Sequence, residues 1–365
     1  MQFSILQENL IKTLNVVKRA VPSKPQLPIL SSFLISVSKT KISVSATNLY
    51  LGIESQASGS ITTPGEMAVP AKIFYEVINH ISPGKIELSL EKNTLIIKSK
   101  SGSTRVQCLT AKDFPSFPSS TKKDLRLQIP DFTGTLEKVL FSASRDETRP
   151  ILTSVLFSLG QKSRVVTTNG FRLAVQEVDG EFETQELLAP AKSINEVVGI
   201  SKQTDSDAVL SVSTELKQLF FFVDSHEITV RMLEGDFPPY QKIIPSSFKT
   251  EVEIDVLEFV SHLKAAQIFA RDVSNIVSLE FGKNKLVISA VSSSLGSHQS
   301  QMDVGATGQL PAKIAFNVNY ILDFIQAIKP EKLWFGMNEG LQPAMFKISG
   351  DDKFFYVVMP FKLNK

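Results

Sequence analysis

Four histidines and one cysteine are the side chains of this chain best suited to metal or nucleophilic chemistry. His80, His226, His262 and His298 stand apart, with no His-x-x-x-His or Glu-x-x-His spacing to bring two ligands onto one helix face. Each reads as a surface or boundary residue. Cys108 lies in the alternating run Val106-Gln107-Cys108-Leu109, where a small apolar core residue is expected. A lone cysteine also excludes an intramolecular disulfide framework and a thiolate zinc cluster. No Gly-x-Ser-x-Gly elbow and no Gly-x-x-x-x-Gly-Lys-Ser/Thr loop occurs. Asp351-Asp352 follows Gly350 and reads as a solvated hairpin turn, not a catalytic pair. No catalytic residue, metal or cofactor is therefore expected, and an enzyme would need a site assembled from distant segments.

The elements that would position any site come from a repeat. The chain has 365 residues, 21% charged and 42% hydrophobic, with a formal charge of +2, the composition of an ordinary globular protein of two or three domains. A short alternating strand followed by an amphipathic helix opens at Phe3-Ser4-Ile5, again at Leu127-Gln128-Ile129 and again at Val252-Glu253-Ile254, at steps of 124 and 125 residues. The helices that follow carry one apolar stripe each: Leu10, Leu14, Val17 and Val21; Leu136, Val139, Leu140 and Ala143; Val256, Phe259, Val260 and Leu263.

A second, shorter helix is expected later in each repeat. Val69-Pro70-Ala71-Lys72 leads into Phe74, Val77, Ile78 and Ile81, and Ala189-Pro190-Ala191-Lys192 into Ile194, Val197, Val198 and Ile200. In the third repeat the pattern around Tyr320, Ile321, Phe324 and Ile325 fits better after Phe316-Asn317-Val318-Asn319 than after Pro311-Ala312-Lys313. Alternating runs between the helices, such as Phe33 to Val37 and Lys285 to Ser289, read as half-buried antiparallel strands. The polar stretch Ser116 to Lys123 and the segment around Ser246-Ser247 read as linkers. The expected fold is α+β: three repeated domains, 1–119, 120–245 and 246–365, each of two helices packed on antiparallel sheets. No apolar run reaches the roughly 20 residues of a membrane helix, and the opening residues show no signal-peptide pattern, so a cytoplasmic location is expected.

Four local signatures lie in order along this repeat: Lys24-Pro25-Gln26-Leu27-Pro28-Ile29-Leu30, Thr168-Asn169-Gly170-Phe171-Arg172-Leu173-Ala174, Asp236-Phe237-Pro238-Pro239-Tyr240 and Tyr356-Val357-Val358-Met359-Pro360. With the threefold repeat, they make the chain resemble the bacterial sliding clamps, the β subunits of DNA polymerase III, over essentially its whole length. The resemblance implies the DNA-clamp fold and a head-to-tail homodimer closing a six-domain ring around duplex DNA. Such a ring makes and breaks no bond. It would be opened and closed by an ATP-dependent loader and would tether the replicative polymerase for processive synthesis. A peptide-binding scaffold of the same fold that is not loaded on DNA is the alternative.

Three sets of residues follow from that resemblance. Sequence-independent DNA contact is expected of Lys12, Lys24, Lys72, Arg145, Lys192 and Lys264, with Lys18, Arg19, Lys138 and Arg271 nearby on the same helices or at their ends. A pocket for short linear peptides of polymerases, loader and repair proteins would be walled by Leu152, Thr168, Gly170, Arg172, Leu173, Pro238, Ile243, Val357, Met359 and Pro360, with Lys242 and Met345 at its rim. Asn169 and Phe171 stand where relatives often carry Asp and His, so an aromatic face replaces an imidazole hydrogen bond. The dimer contact would join an edge strand near Arg105, Val106 and Cys108 to Ile268 and Phe269 of the second copy, although the stretch 292–301 lacks the acidic residues that would face the basic strand. By repeat, basic and acidic residues number 13 and 7, 14 and 18, and 12 and 12, so the near-neutral total conceals an uneven distribution.

Overall fold

The structure is a computed structural model, described here for residues 1–121, 124–272 and 274–362. Lys122 and Lys123 of the expected first linker lie outside the described residues. Six helices are described: α1 (Gln7–Val17), α2 (Ala71–His80), α3 (Phe132–Leu140), α4 (Ala191–Thr204), α5 (Val256–Ala270) and α6 (Val318–Ile328). They fall at the six places the apolar stripes predict. Leu10, Leu14 and Val17 of α1, Leu136 and Val139 of α3, and Phe259 and Leu263 of α5 are fully buried. Each such side chain contributes about 1.5–3 kcal/mol by leaving water. Asp255 caps α5 by accepting from the Leu257 and Glu258 N–H groups, and Asn317 caps α6 through Asn319 N–H. Ala312–Asn317 is a strand, as the weak pattern after Pro311 indicates. Among the described residues, no helix is long and apolar enough to cross a membrane.

The chain divides into two compact units that do not follow the three repeats. One comprises Met1–Gln128 with Ser193–Met232, the other Ile129–Lys192 with Leu233–Lys365. The reason is strand pairing. In the first unit an eight-stranded sheet runs Leu125–Leu127, Val209–Ser213, Gln218–Val223, His226–Arg231, Leu51–Ala57, Ile42–Thr47, Ser32–Val37, Gly65–Pro70. His226–Arg231 closes the second repeat, yet it pairs antiparallel with Leu51–Ala57 of the first, Ile228 opposite Ile53. The first unit also holds a five-stranded sheet, Gly59–Thr63, Gln2–Leu6, Lys85–Glu91, Thr94–Ser99, Gly102–Gln107.

The second unit repeats this device. Its nine-stranded sheet runs Gln185–Pro190, Ser154–Leu159, Ser163–Thr168, Arg172–Val178, Asp351–Val358, Ala344–Ile348, Lys332–Met337, Thr250–Asp255, Gly305–Gly308. The last strand of the third repeat, Asp351–Val358, pairs with Arg172–Val178 of the second, Leu173 opposite Val357. A four-stranded sheet, Gly296–Asp303, Lys285–Ser292, Ile276–Phe281, Ala312–Asn317, completes it. Among the strands that lie at a sheet end with one neighbour are Gly102–Gln107 in the first unit and Gly296–Asp303 in the second.

The second unit's core is rich in rings. Phe324 stacks on Tyr356 at 4.9 Å, and Phe281 on Phe335 at 5.2 Å, both within the range of favourable aromatic pairs. Asp351 is not simply a solvated turn residue. Its carboxylate takes the Lys138 ammonium of α3 at 2.8 Å.

Candidate functional site

The apolar patch of the second unit grows out of three neighbouring strands. Leu173, Val357 and Met345 stand opposite one another in register, a row on one face of the nine-stranded sheet. Together with Leu156, Val166, Val175, Tyr240 and Phe355 they form one buried cluster. Beside it runs a tight turn held by the side chains of Thr168 and Asn169. Thr168 Oγ1 donates to the Arg172 carbonyl at 2.7 Å and accepts from Gly170 N–H at 3.0 Å. Asn169 Oδ1 accepts from the Phe171 and Arg172 N–H groups at 2.9 and 3.0 Å. Gly170 has φ 91°, the left-handed region that glycine enters without cost. A Cβ there would lie 3.9 Å from Leu152 Cδ1, which places Leu152 against the turn. Met359 N–H donates to the Phe171 carbonyl at 2.8 Å, so the C-terminal segment is laid along the same turn.

The turn presents Phe171 outward, 55% exposed, and Ile243 is 39% exposed in the short 3-10 turn Tyr240–Ile243. Leu152, Pro238, Met359 and Pro360 are partly exposed, and Lys242 is exposed. Two residues differ from the sequence expectation. Met345, expected at a rim, is 4% exposed because its strand is central, and its side chain packs inside the cluster. Arg172, expected in the wall, carries its guanidinium to the helix side of the sheet. Nη1 donates to Asp323 Oδ2 of α6 at 2.6 Å, Nη2 to the Phe141 carbonyl at the end of α3 at 2.5 Å, and the group lies 4.9 Å from the Tyr320 ring. Strand alternation is the cause: Leu173 and Val175 face the patch, so Arg172 faces away. Ile151, Phe237 and Tyr240 also pack at the patch, and the sequence reading missed them. Tyr240 is held by an Arg164 hydrogen bond, and burial pushes its hydroxyl above the ordinary phenol range.

The expected DNA-contacting cations divide into two groups. Lys12 on α1, Lys24 before the short turn Pro28–Ser31, Lys72 and Lys192 at the second positions of α2 and α4, Arg145 after α3 and Lys264 on α5 are all exposed. Among the described residues none of these six enters an ion pair with a carboxylate. Their neighbours are engaged. Lys18 Nζ donates to Asn15 Oδ1 and Tyr75 Oη at 2.9 Å each, Arg19 pairs with Glu196 at 2.9 Å, and Lys138 is taken by Asp351.

At the sheet edges, Arg105 is exposed, whereas Val106 and Cys108 are 4% and 8% exposed. Cys108 Sγ rests 3.8 Å from Met67 Sδ, and burial raises its thiol above the ordinary range, so it is a packing residue. Ile268 is 53% exposed on α5, and Phe269 stacks on His298 of the Gly296–Asp303 edge strand at 5.9 Å. Asp272, just beyond α5, accepts from Ser292 and Ser294 hydroxyls. Among the described residues, no group of three or more His, Cys, Asp or Glu is placed to hold a metal ion.

Comparison with known proteins agrees with this architecture along the chain. Family models of the DNA polymerase III beta subunit match as N-terminal domain over residues 1–118, central domain over 126–239 and C-terminal domain over 241–362. A beta sliding clamp from Synechocystis is 29% identical over 385 residues, covering 98% of each chain. The DNA polymerase III beta subunit of Thermotoga maritima superposes with a TM-score of 0.91 at 25% identity, covering 100% of both chains. A Pseudomonas aeruginosa sliding clamp, solved bound to griselimycin, superposes with a TM-score of 0.92 at 23% identity, again over 100% of both. A three-domain sliding-clamp fold with these matches across all three repeats places the chain in the DNA polymerase III β subunit family.

Proposed function

We propose that two copies of this chain close head to tail into a ring that encircles duplex DNA and tethers a replicative polymerase, itself catalysing nothing. The observation that carries this reading is strand succession. The closing strand of the second repeat pairs into the sheet of the first, and that of the third into the sheet of the second. The corresponding strand of the first repeat, Gly102–Gln107, has no such partner among the described residues of its own chain. In the third repeat, the strand that would receive a successor, Gly296–Asp303, likewise lies at the end of its sheet. Each edge fits the other on a second copy, a heterologous contact that closes when its rotation completes a circle.

In this reading the domains are the three repeats, and Arg105, Ile268 and Phe269 flank the joint, with Val106 and Cys108 behind the edge. The six exposed cations contact phosphates without reading sequence, which permits sliding. The Phe171 turn, Leu152, Leu173, Pro238, Ile243, Val357, Met359 and Pro360 receive a short apolar peptide from the polymerase, the clamp loader or repair proteins, with Lys242 beside them. The site of action is the cytoplasm, where bacterial DNA is replicated.

Mass in solution is the first test, and a ring requires about twice the 40.3 kDa chain mass. The second is retention on nicked circular DNA in the presence of loader and ATP. Loss of retention on linearisation is expected. Equal release from circle and line, or no retention on either, would refute encirclement and leave a scaffold that is not loaded on DNA.

A further inference from the structure

The turn that presents Phe171 has a double in the first unit. Thr47 Oγ1 donates to the Leu51 carbonyl at 3.0 Å and accepts from Leu49 N–H, while Asn48 Oδ1 accepts from the Tyr50 and Leu51 N–H groups at 3.0 and 2.8 Å. Arg231 N–H donates to the Tyr50 carbonyl at 2.9 Å, as Met359 does to Phe171. Leu49 stands in the place of Gly170 and adopts φ 75°, a conformation costly for leucine. Only a turn fixed by its surroundings imposes that. The preceding short helices also match: Pro28–Ser31, sequence PILS, corresponds to Pro150–Thr153, sequence PILT. Tyr50, 52% exposed, therefore corresponds to Phe171, Leu30 to Leu152, and Gly52 to Leu173.

The two copies differ in what covers them. Leu30 is 1% exposed, whereas Leu152 is partly exposed. Phe117, from the connector that leaves the first repeat, packs against the cluster of Ile29, Leu30, Ala68 and Phe114. Its ring sits so close to Gly52 that a Cβ there would lie 2.7 Å from Phe117 Cε1. It lies flat on Phe114, centroids 6.1 Å apart and planes at 13°. In the second unit the corresponding rings, Phe237 and Tyr240, meet edge to face at 79°, with Leu173 where Gly52 would admit a ring and Tyr240 drawn to Arg164.

The geometry points to a second copy of the peptide pocket, at the junction of the first and second repeats, kept shut by the chain's own Phe117. Its ligand class is that of the proposed pocket, a short apolar peptide, and the inference rests on that reading. The occupant already in place supports this: a single aromatic side chain on an extended connector is how such a peptide would enter.

The test counts binding sites with a fluorescein-labelled hexapeptide ending in Leu-Leu-Phe, titrated by anisotropy against the full-length dimer. Wild type should bind one peptide per chain and Met359→Asp none. Phe117→Ala should bind two, and Phe117→Ala with Met359→Asp one. Gly52→Ala, which pushes the ring out without deleting it, should also raise the count above one, and thermal melts confirm folding of each variant. A count of one for both Phe117→Ala and Gly52→Ala, and of zero for the double variant, overturns the second site. If wild type binds none, the first pocket reading fails instead, and the two copies are read separately by whether Phe117→Ala gains a site.

Discussion

Replacing Arg172 by methionine should weaken folding far more than neutralising its ion-pair partner does. Methionine keeps the aliphatic stem but strands the Phe141 carbonyl, which now accepts from Nη2 at 2.5 Å. An unsatisfied buried carbonyl costs about 1–3 kcal/mol. The lost face contact with Tyr320 at 4.9 Å adds about 1 kcal/mol. Asp323 is 46% exposed and can return to water, so the ion pair itself adds at most about 1 kcal/mol. The total for Arg172→Met is about 2–5 kcal/mol, against less than about 1 kcal/mol for Asp323→Asn, whose amide oxygen still accepts. Trp334 is the chain's one tryptophan and packs at the apolar patch of the same unit, so its fluorescence reports this region in urea titrations. Arg172→Lys should fall between the two, since an ammonium keeps the charge without the planar fork. Equal shifts for Arg172→Met and Asp323→Asn would refute the assignment, because the ion pair would then account for the whole effect.

Ile268→Asp changes an exposed side chain and should leave the melting profile intact while shifting solution mass from twice the chain mass toward 40.3 kDa, measured by light scattering. The triple variant Lys24→Ala, Lys72→Ala, Lys192→Ala should keep dimer mass but shorten retention on circular DNA. Its affinity should fall less steeply with salt, the slope of log K against log salt losing about 0.9 per phosphate contact removed. His226 is buried, with Nδ1 2.7 Å from Ser55 Oγ, and burial holds its pKa below the ordinary histidine value. The unfolded chain then binds the proton first, so stability falls as pH drops below about 6.5 toward the folded pKa. Glu227, raised by burial and by Glu54 opposite it, acts in the other sense, so the check is the difference in melting between wild type and His226→Gln from pH 7.5 to 5.

The helices were legible because each carries one apolar stripe, a local signal that packing then confirms. Sheet continuity was not, since the pairing of His226–Arg231 with Leu51–Ala57 joins strands about 175 residues apart, and nothing in either strand names its partner. The direction of Arg172 was available from period-two alternation: Leu173 in the patch requires its neighbour to face the helices. The doubled Pro-Ile-Leu at Pro28 and Pro150 was likewise readable and would have placed Ile151 beside Leu152. The engagement of Lys138 by Asp351 could not be read, because a side-chain pair 213 residues apart follows only from the folded chain.

The proposed joint and the proposed DNA grip should respond differently to salt. At the joint, residues 292–301 contain no carboxylate, and nearby Asp272 is already held by two serine hydroxyls. What the edges offer is backbone hydrogen bonding, the exposed Ile268 and the Phe269–His298 stack. None of these is screened by ions, and apolar burial strengthens in excluded salts. The grip, by contrast, rests on exposed lysines and arginine whose counterion release makes affinity fall steeply with salt. A loaded ring should therefore stay topologically trapped on a closed circle at salt that frees it from linear DNA. In gel filtration of preloaded complexes at 0.1 and 1 M potassium chloride, retention on circles should persist, while release from linear ends accelerates. If the ring leaves closed circles at high salt as fast as it leaves linear DNA, the joint is held by ion pairs after all. Edge-strand pairing would then not be what closes it.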